Sequence, residues 1–145
     1  MKVSQTIIYA VQAVIALGEI DRDAPVSSRQ LAEYGKMPER FLLQILRSLV
    51  AKGVLRSSIG VSGGYSLARP PREITILQIM DAFENPLSGN SVPDLSGLAN
   101  IPRKQLMACL AEAVDAARNS LSSLTLADFI SQRADSKDKL LPAAI

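Results

Sequence analysis

The chain has 145 residues, with 16 Lys and Arg against 14 Asp and Glu, no His, no Trp and a single Cys. One cysteine excludes an internal disulfide, and the lack of His removes the commonest metal ligand and general base. Hydrophobic residues make up 48% of the chain but aromatic ones only 4%, so the core must be built from Leu, Ile, Val and Ala, which favours helices over a sandwich of strands. No run of 18 apolar residues is present to span a membrane, and the expected location is the cytoplasm.

The charge is unevenly divided. Residues 1–72 hold ten Lys or Arg against five Asp or Glu, and residues 73–145 hold six against nine. A basic front half attracts a polyanion, whereas an acidic back half is better used against protein.

In chain order, Ile7, Ile8, Val11, Val14, Ile15 and Gly18 recur at helical spacing, which predicts a first helix over 4–20 with this stripe inward. Asp21 to Pro25 end it. Ser27 with Gln30 has the form of a capping box and opens a short second helix through Leu31 and Ala32, stopping near Gly35. Pro38 suits the first turn of a third helix, and Phe41, Leu42, Ile45, Leu46 and Leu49 give that helix one buried side up to Gly53.

From Val54 the period changes. Val54–Ser58 and Tyr65–Ala68 read as two short strands around a glycine-rich tip, a hairpin. Arg69-Pro70-Pro71-Arg72 cannot continue a ladder, and Thr75 with Gln78 caps a fourth helix through Ile76, Ile79, Met80 and Phe83, closing a unit near Asn85. Residues 86–101, with Pro86, Gly89, Pro93 and Gly97, form a loop longer than most connections inside a compact domain. Beyond it Leu106, Leu110, Ala113, Ala117 and Leu124, flanked by Met107, Val114 and Leu121, place a wide apolar face on a long helix that needs a partner. Thr125 and Asp128 cap a last short turn, and from Ala134 a tail follows.

The fold class is therefore mostly α with a small β-hairpin, a winged helix-turn-helix domain plus a long C-terminal dimerisation helix. The divisions expected are 1–85 for DNA binding, 86–101 for an effector loop, 102–133 for dimerisation and a terminal turn, and 134–145 for the tail. Lys36, Arg40, Leu43, Gln44 and Arg47 fall on one stripe of the third helix. Arg can fork onto guanine or hold a phosphate, Gln can pair with adenine, and an outward Leu can pack on a thymine methyl. In the hairpin, Gly60, Gly63 and Gly64 let backbone N–H groups approach phosphates, with Arg56 and Arg69 at the flanks. No nucleophile stands beside a base, so no enzyme activity is expected. An interaction module that kept the fold but lost DNA binding is the alternative.

Four segments, Val26–Ala32, Phe41–Leu46, Gly60–Pro71 and Glu73–Ile76, together with Ser4, Tyr9 and Leu124–Asp128, resemble the bacterial Rrf2 family of regulators. The resemblance implies a homodimeric winged-helix regulator, expected to be a repressor, that binds double-stranded DNA. It implies recognition by residues 38–47, including Pro38, Glu39, Arg40, Leu43, Gln44 and Arg47, and a wing tip over 59–64 that includes Gly60, Ser62, Gly63 and Gly64. It also implies that Leu106, Leu110, Ala113, Ala117, Leu121 and Leu124 on a helix over about 102–122 join two copies. Ile59, Thr6 and Leu43 stand where members usually carry Arg, Lys and Glu, which leaves base preference open. Members that bind an iron-sulfur cluster place three Cys in the loop, but residues 86–101 contain neither Cys nor His, so no cofactor and no metal is expected. The effector would be a small molecule or a protein. Cys109 reads first as a small buried hydrophobe and second as a thiol switch near a two-fold axis.

Overall fold

The computed structural model describes residues 2–20, 24–83, 87 and 93–135. Helix α1 (Gln5–Glu19) starts where the Ser4 hydroxyl accepts the Ile7 N–H at 3.3 Å. It buries Ile7, Ala10, Ala13, Val14, Ala16, Leu17 and Gly18. This corrects the expected stripe, since Ile8 is exposed and Val11 and Ile15 are only half-buried. The alanines decide the inward face, because their small side chains let α1 pack on several helices at once, which a search for large apolar residues overlooks.

Helix α2 (Ser28–Gly35) has the complete capping box, with Ser27 N–H donating to Gln30 Oε1 at 3.0 Å and Gln30 N–H to Ser27 Oγ at 3.2 Å. Helix α3 (Glu39–Ala51) buries Leu42, Ile45, Leu46 and Leu49. Pro38 is its N-cap, one position earlier than expected. Phe41, expected in the core, is 59% exposed. Its position lies about 100° from Leu42 on the helix wheel, outside the arc that α1 and α2 cover.

Strands β1 (Leu55–Ser58) and β2 (Gly64–Leu67) pair antiparallel with Leu55 opposite Leu67 and Ser58 opposite Gly64. The expected hairpin is present, shifted by one residue. Val26 adds a rung that the sequence reading did not include: its N–H donates to Tyr65 O at 2.9 Å, and its carbonyl accepts the Tyr65 N–H at 2.8 Å. A side chain at Gly64, whose φ is 156°, would run into the Val26 carbonyl.

A 3-10 turn (Pro71–Glu73) leads to α4 (Ile76–Met80), opened by a second complete capping box at Thr75 and Gln78. α4 ends before Phe83, earlier than expected, and the boundary anticipated near Asn85 lies outside the described residues. Helix α5 (Asn100–Ser122) is the long helix, and α6 (Leu126–Asp135) follows. The expected last short turn is thus a ten-residue helix. It begins as the capping pair predicts, with Thr125 N–H donating to Asp128 Oδ2 at 2.7 Å. Ile76 N–H to Leu124 O, 2.9 Å, and Leu126 N–H to Ile74 O, 2.8 Å, fasten the α5–α6 junction to the strand-like entry of α4.

One core joins these parts. Ile7, Leu31, Leu42, Leu46, Leu49, Leu55, Ile74, Ile79 and Leu126 are fully buried in it. Each such side chain contributes roughly 1.5–3 kcal/mol by leaving water. The α6 residue Leu126 belongs to this cluster, and Leu126 and Ile130 fill the space left open by Gly18 on α1.

The long helix is divided in its packing. Ala117, Leu121 and Leu124 lie half-buried against the core of their own chain, so three of the six residues expected to join two copies are partly covered within one. From Ile101 to Ala113 every position is exposed, including Leu106, Met107 and Leu110. Arg118 pins the covered half, with Nη2 3.0 Å from Asp81 Oδ2 and Nη1 3.1 Å from the Leu87 carbonyl.

Candidate nucleic-acid interface

The α2–α3 turn is built by an unusual backbone. Lys36 takes the left-handed conformation, φ 50° and ψ 43°, and its N–H reaches back to Glu33 O at 3.4 Å. A glycine more often fills such a position, yet Gly35 remains helical and Met37 is packed over it so closely that a Cβ would meet the Met37 methyl group. Met37 is buried as a result, and Lys36 is left exposed beside the start of α3.

The angle between the two helices has a polar brace. Ser28 Oγ donates to Glu39 Oε1 at 3.1 Å, linking the first residue of α2 to the first of α3. Glu39, expected to face DNA, is therefore engaged in positioning its own helix. The sequence reading missed Ser28, because a partner eleven residues away leaves no local pattern.

On the outer face of α3, Arg40, Gln44 and Arg47 are exposed at spacings of three and four. Among the described residues none of the three side chains is hydrogen-bonded or ion-paired, although an acidic partner at helical spacing would be easy to supply. Leu43, expected to point outward with them, is half-buried at the edge of the stripe.

The hairpin tip carries Ile59 and Val61 as its outermost side chains, 103% and 109% exposed, with Ser62 exposed beside them. Gly60, at φ 118°, makes the turn, and Gly63 N–H closes it on Gly60 O at 3.0 Å. Gly63 and Gly64 are half-buried and shape the turn from within: a Cβ on Gly63 would strike the Ser58 carbonyl. Arg56 is exposed on β1, with one long hydrogen bond to Leu67 O at 3.5 Å, while Arg69 reaches Gln78 Oε1 at 3.4 Å. The interface thus has a cationic, amide-bearing helix next to a hairpin whose tip is apolar.

A short helix, a tight turn and a second helix with an exposed cationic face, followed by a hairpin packed against that helix, is the arrangement of winged helix-turn-helix proteins. The family model described as "Rrf2: Iron-dependent Transcriptional regulator" matches residues 3–132. The chain belongs to the Rrf2 family. CymR of Bacillus subtilis, an HTH-type transcriptional regulator, is 29% identical over 131 residues, covering 90% of this chain and 91% of CymR. Rv1287 of Mycobacterium tuberculosis is 35% identical over 132 residues, 88% of this chain and 80% of that protein. Among solved structures, B. subtilis CymR, a global cysteine regulator, superposes with a TM-score of 0.73 at 27% identity over 91% of this chain and 98% of its own. T. potens IscR gives the same TM-score at 28% identity, over 96% of this chain and 93% of its own. The protein is thus an Rrf2-family helix-turn-helix transcriptional regulator.

The iron of the family description does not fit the donors of this Rrf2 protein. Cys109, the sole thiol of the chain, lies exposed on α5, and no group of three Cys, Asp or Glu gathers among the described residues. Thiolate ligation of a cluster needs several cysteines converging on one point. The exposure of Cys109 also corrects the reading of it as a buried hydrophobe within one chain. No helix among the described residues is long and apolar enough to cross a membrane.

Proposed function

We propose that this Rrf2 protein is a cytoplasmic homodimeric repressor that reads a two-fold operator through the major groove with residues 38–47. The observation that carries the reading is the unpaired outer face of α3, where Arg40, Gln44 and Arg47 stand exposed with no partner among the described residues. Arg40 and Gln44 supply base-edge hydrogen bonds, and Lys36 and Arg47 supply phosphate contacts. Glu39 acts through Ser28 by fixing the helix angle. Arg56 and the backbone of Gly60 and Ser62 hold the flanking strand, while Gly63 and Gly64 shape the tip that presents them and Pro38 sets the start of the reading helix.

The exposed run of α5 supports the homodimer. Leu106, Met107, Leu110 and Ala113 give one apolar strip that a second copy of α5 covers, while Ala117, Leu121 and Leu124 seat the helix on its own domain. Cys109 then lies beside the two-fold contact. A small-molecule or protein effector bound at 86–101 would move α5 and with it the spacing of the two reading helices.

The test is a salt titration of binding to the protein's own promoter DNA, comparing wild type with Arg40→Ala and Gln44→Ala. Tight binding that weakens steeply with salt, and loses sequence preference in both variants, is the expected result. Binding no better than to random DNA, unchanged in the variants, overturns the reading and leaves a dimeric interaction module.

A further inference from the structure

Beside the outer face of α3, and sharing Gln44 with it, lies a half-open cavity of about 470 Å³ between that helix and the start of α1. Its walls are Gln5, Thr6 and Tyr9 from α1, Phe41, Gln44, Ile45 and Ser48 from α3, and Phe83 after α4. Pockets that hold small molecules usually measure roughly 300–1,000 Å³ and combine an apolar lining with a few convergent polar groups. This one fits both descriptions. Three of the chain's six aromatic side chains line it, although Phe and Tyr are scarce elsewhere.

The chemistry of the lining narrows the ligand. None of its side chains carries a charge, in contrast to the Arg40 and Arg47 side chains of the same helix. The amides of Gln5 and Gln44 and the hydroxyls of Thr6, Tyr9 and Ser48 form no hydrogen bond with another described group, so both donors and acceptors are available. Phe41, 59% exposed, offers a face on which a flat ring can stack, and Tyr9 and Phe83 add two further rings to the lining. We propose that this cavity binds a small, neutral, planar aromatic molecule bearing hydrogen-bonding groups, and that the bound molecule competes with DNA for Gln44. A ligand that engages the Gln44 amide withdraws it from a base edge, so occupancy and operator reading exclude each other. The competition rests on α3 being the reading helix; the binding itself does not.

Indole, a neutral bicyclic aromatic with one N–H donor, is the probe. In amide-resolved NMR of the full chain in its native oligomeric state, indole should shift Thr6, Tyr9, Phe41, Gln44, Ser48 and Phe83 saturably. Phe41→Ala should weaken binding about fivefold or more by removing the stacking face. Ser48→Leu, which fills the cavity from a half-exposed position, should abolish it. Saturating indole should release wild-type protein from promoter DNA and leave the DNA complex of Ser48→Leu in place. Silence of these amides, shifts confined to the Ile101–Leu110 strip, or equal binding in both variants overturns the site, including the case in which a second copy already fills it. Saturable shifts with DNA affinity unchanged overturn the competition. Failure of all DNA binding with the shifts intact overturns the reading helix instead.

Discussion

Arg118 and Asp81 meet side by side, Nη1 to Oδ1 at 3.2 Å and Nη2 to Oδ2 at 3.0 Å, in a two-pronged contact between the long helix and the residue that ends α4. Two parallel hydrogen bonds fix orientation as well as distance. The hydrogen bonds and charge of Asp81 hold the Arg118 guanidinium in its protonated form more firmly still. Arg118→Ala and Asp81→Asn should each lower the thermal midpoint, and the double variant should fall no further than the worse single one. Arg118→Ala should be the worse, since it also removes the 3.1 Å hydrogen bond from the guanidinium to the Leu87 carbonyl. Additive losses would show that the two groups act separately.

Leu126 is fully buried in the core although it follows the long helix. Leu126→Ala should cost about 2–5 kcal/mol in urea unfolding, monitored by circular dichroism, as for other core leucines. A loss under about 1 kcal/mol would mean that α6 contributes little to the cluster it enters.

Gly64 faces the Val26 carbonyl at a φ that side chains rarely adopt. Gly64→Ala should destabilise the protein by about 1–3 kcal/mol and detach the Val26 rung, seen as faster exchange of the Tyr65 amide. Gly97→Ala, where nothing lies within 4 Å of the added methyl, serves as the neutral control.

Asp128 has its carboxyl held below the ordinary value of 3.8 by the Thr125 N–H and then by the Thr125 hydroxyl. A folded-state value below the unfolded one means stability that is present above about pH 4 and is lost as pH falls through the lower, folded value. Wild type should therefore exceed Asp128→Asn in stability near neutral pH, and the two should converge in acid. A constant gap across that range would show that the carboxylate charge is not what matters.

Ile59 at the hairpin tip is fully exposed and touches no core residue. Ile59→Arg should leave the melting temperature unchanged and add one cation against DNA. The slope of log affinity against log salt should steepen by about one. An unchanged slope would place the tip away from the phosphates.

Much of the architecture was legible because it rests on local signals. The Ser27, Thr75 and Thr125 caps, the proline at 38 and the glycines of the hairpin each act within four residues, and each marks the start of an element to within a residue of where it was expected. The errors share another cause. Phe41, Ile8 and Val11 are apolar at helical spacing, but which arc of a helix is covered depends on neighbours distant in sequence, and here the alanines of α1 mark the close contact. Ser28 with Glu39, Val26 with Tyr65 and Leu126 in the core are long-range pairings of the same kind. For the candidate interface, the cationic stripe could be read from spacing, whereas the aromatic cavity beside it needs α1, α3 and Phe83 brought together in space.

The unequal seating of α5 has a mechanical consequence. With Ala117 to Leu124 held against the domain and Arg118 clamped, any reorientation of the helix turns about its C-terminal third. At 1.5 Å per residue, Asn100 lies roughly 25 Å from that pivot, so a tilt of about 5° carries the far end about 2 Å. The distance is gained where the apolar strip is exposed and the 93–99 segment enters the helix, so a slight local push there becomes a displacement on the scale of a hydrogen bond.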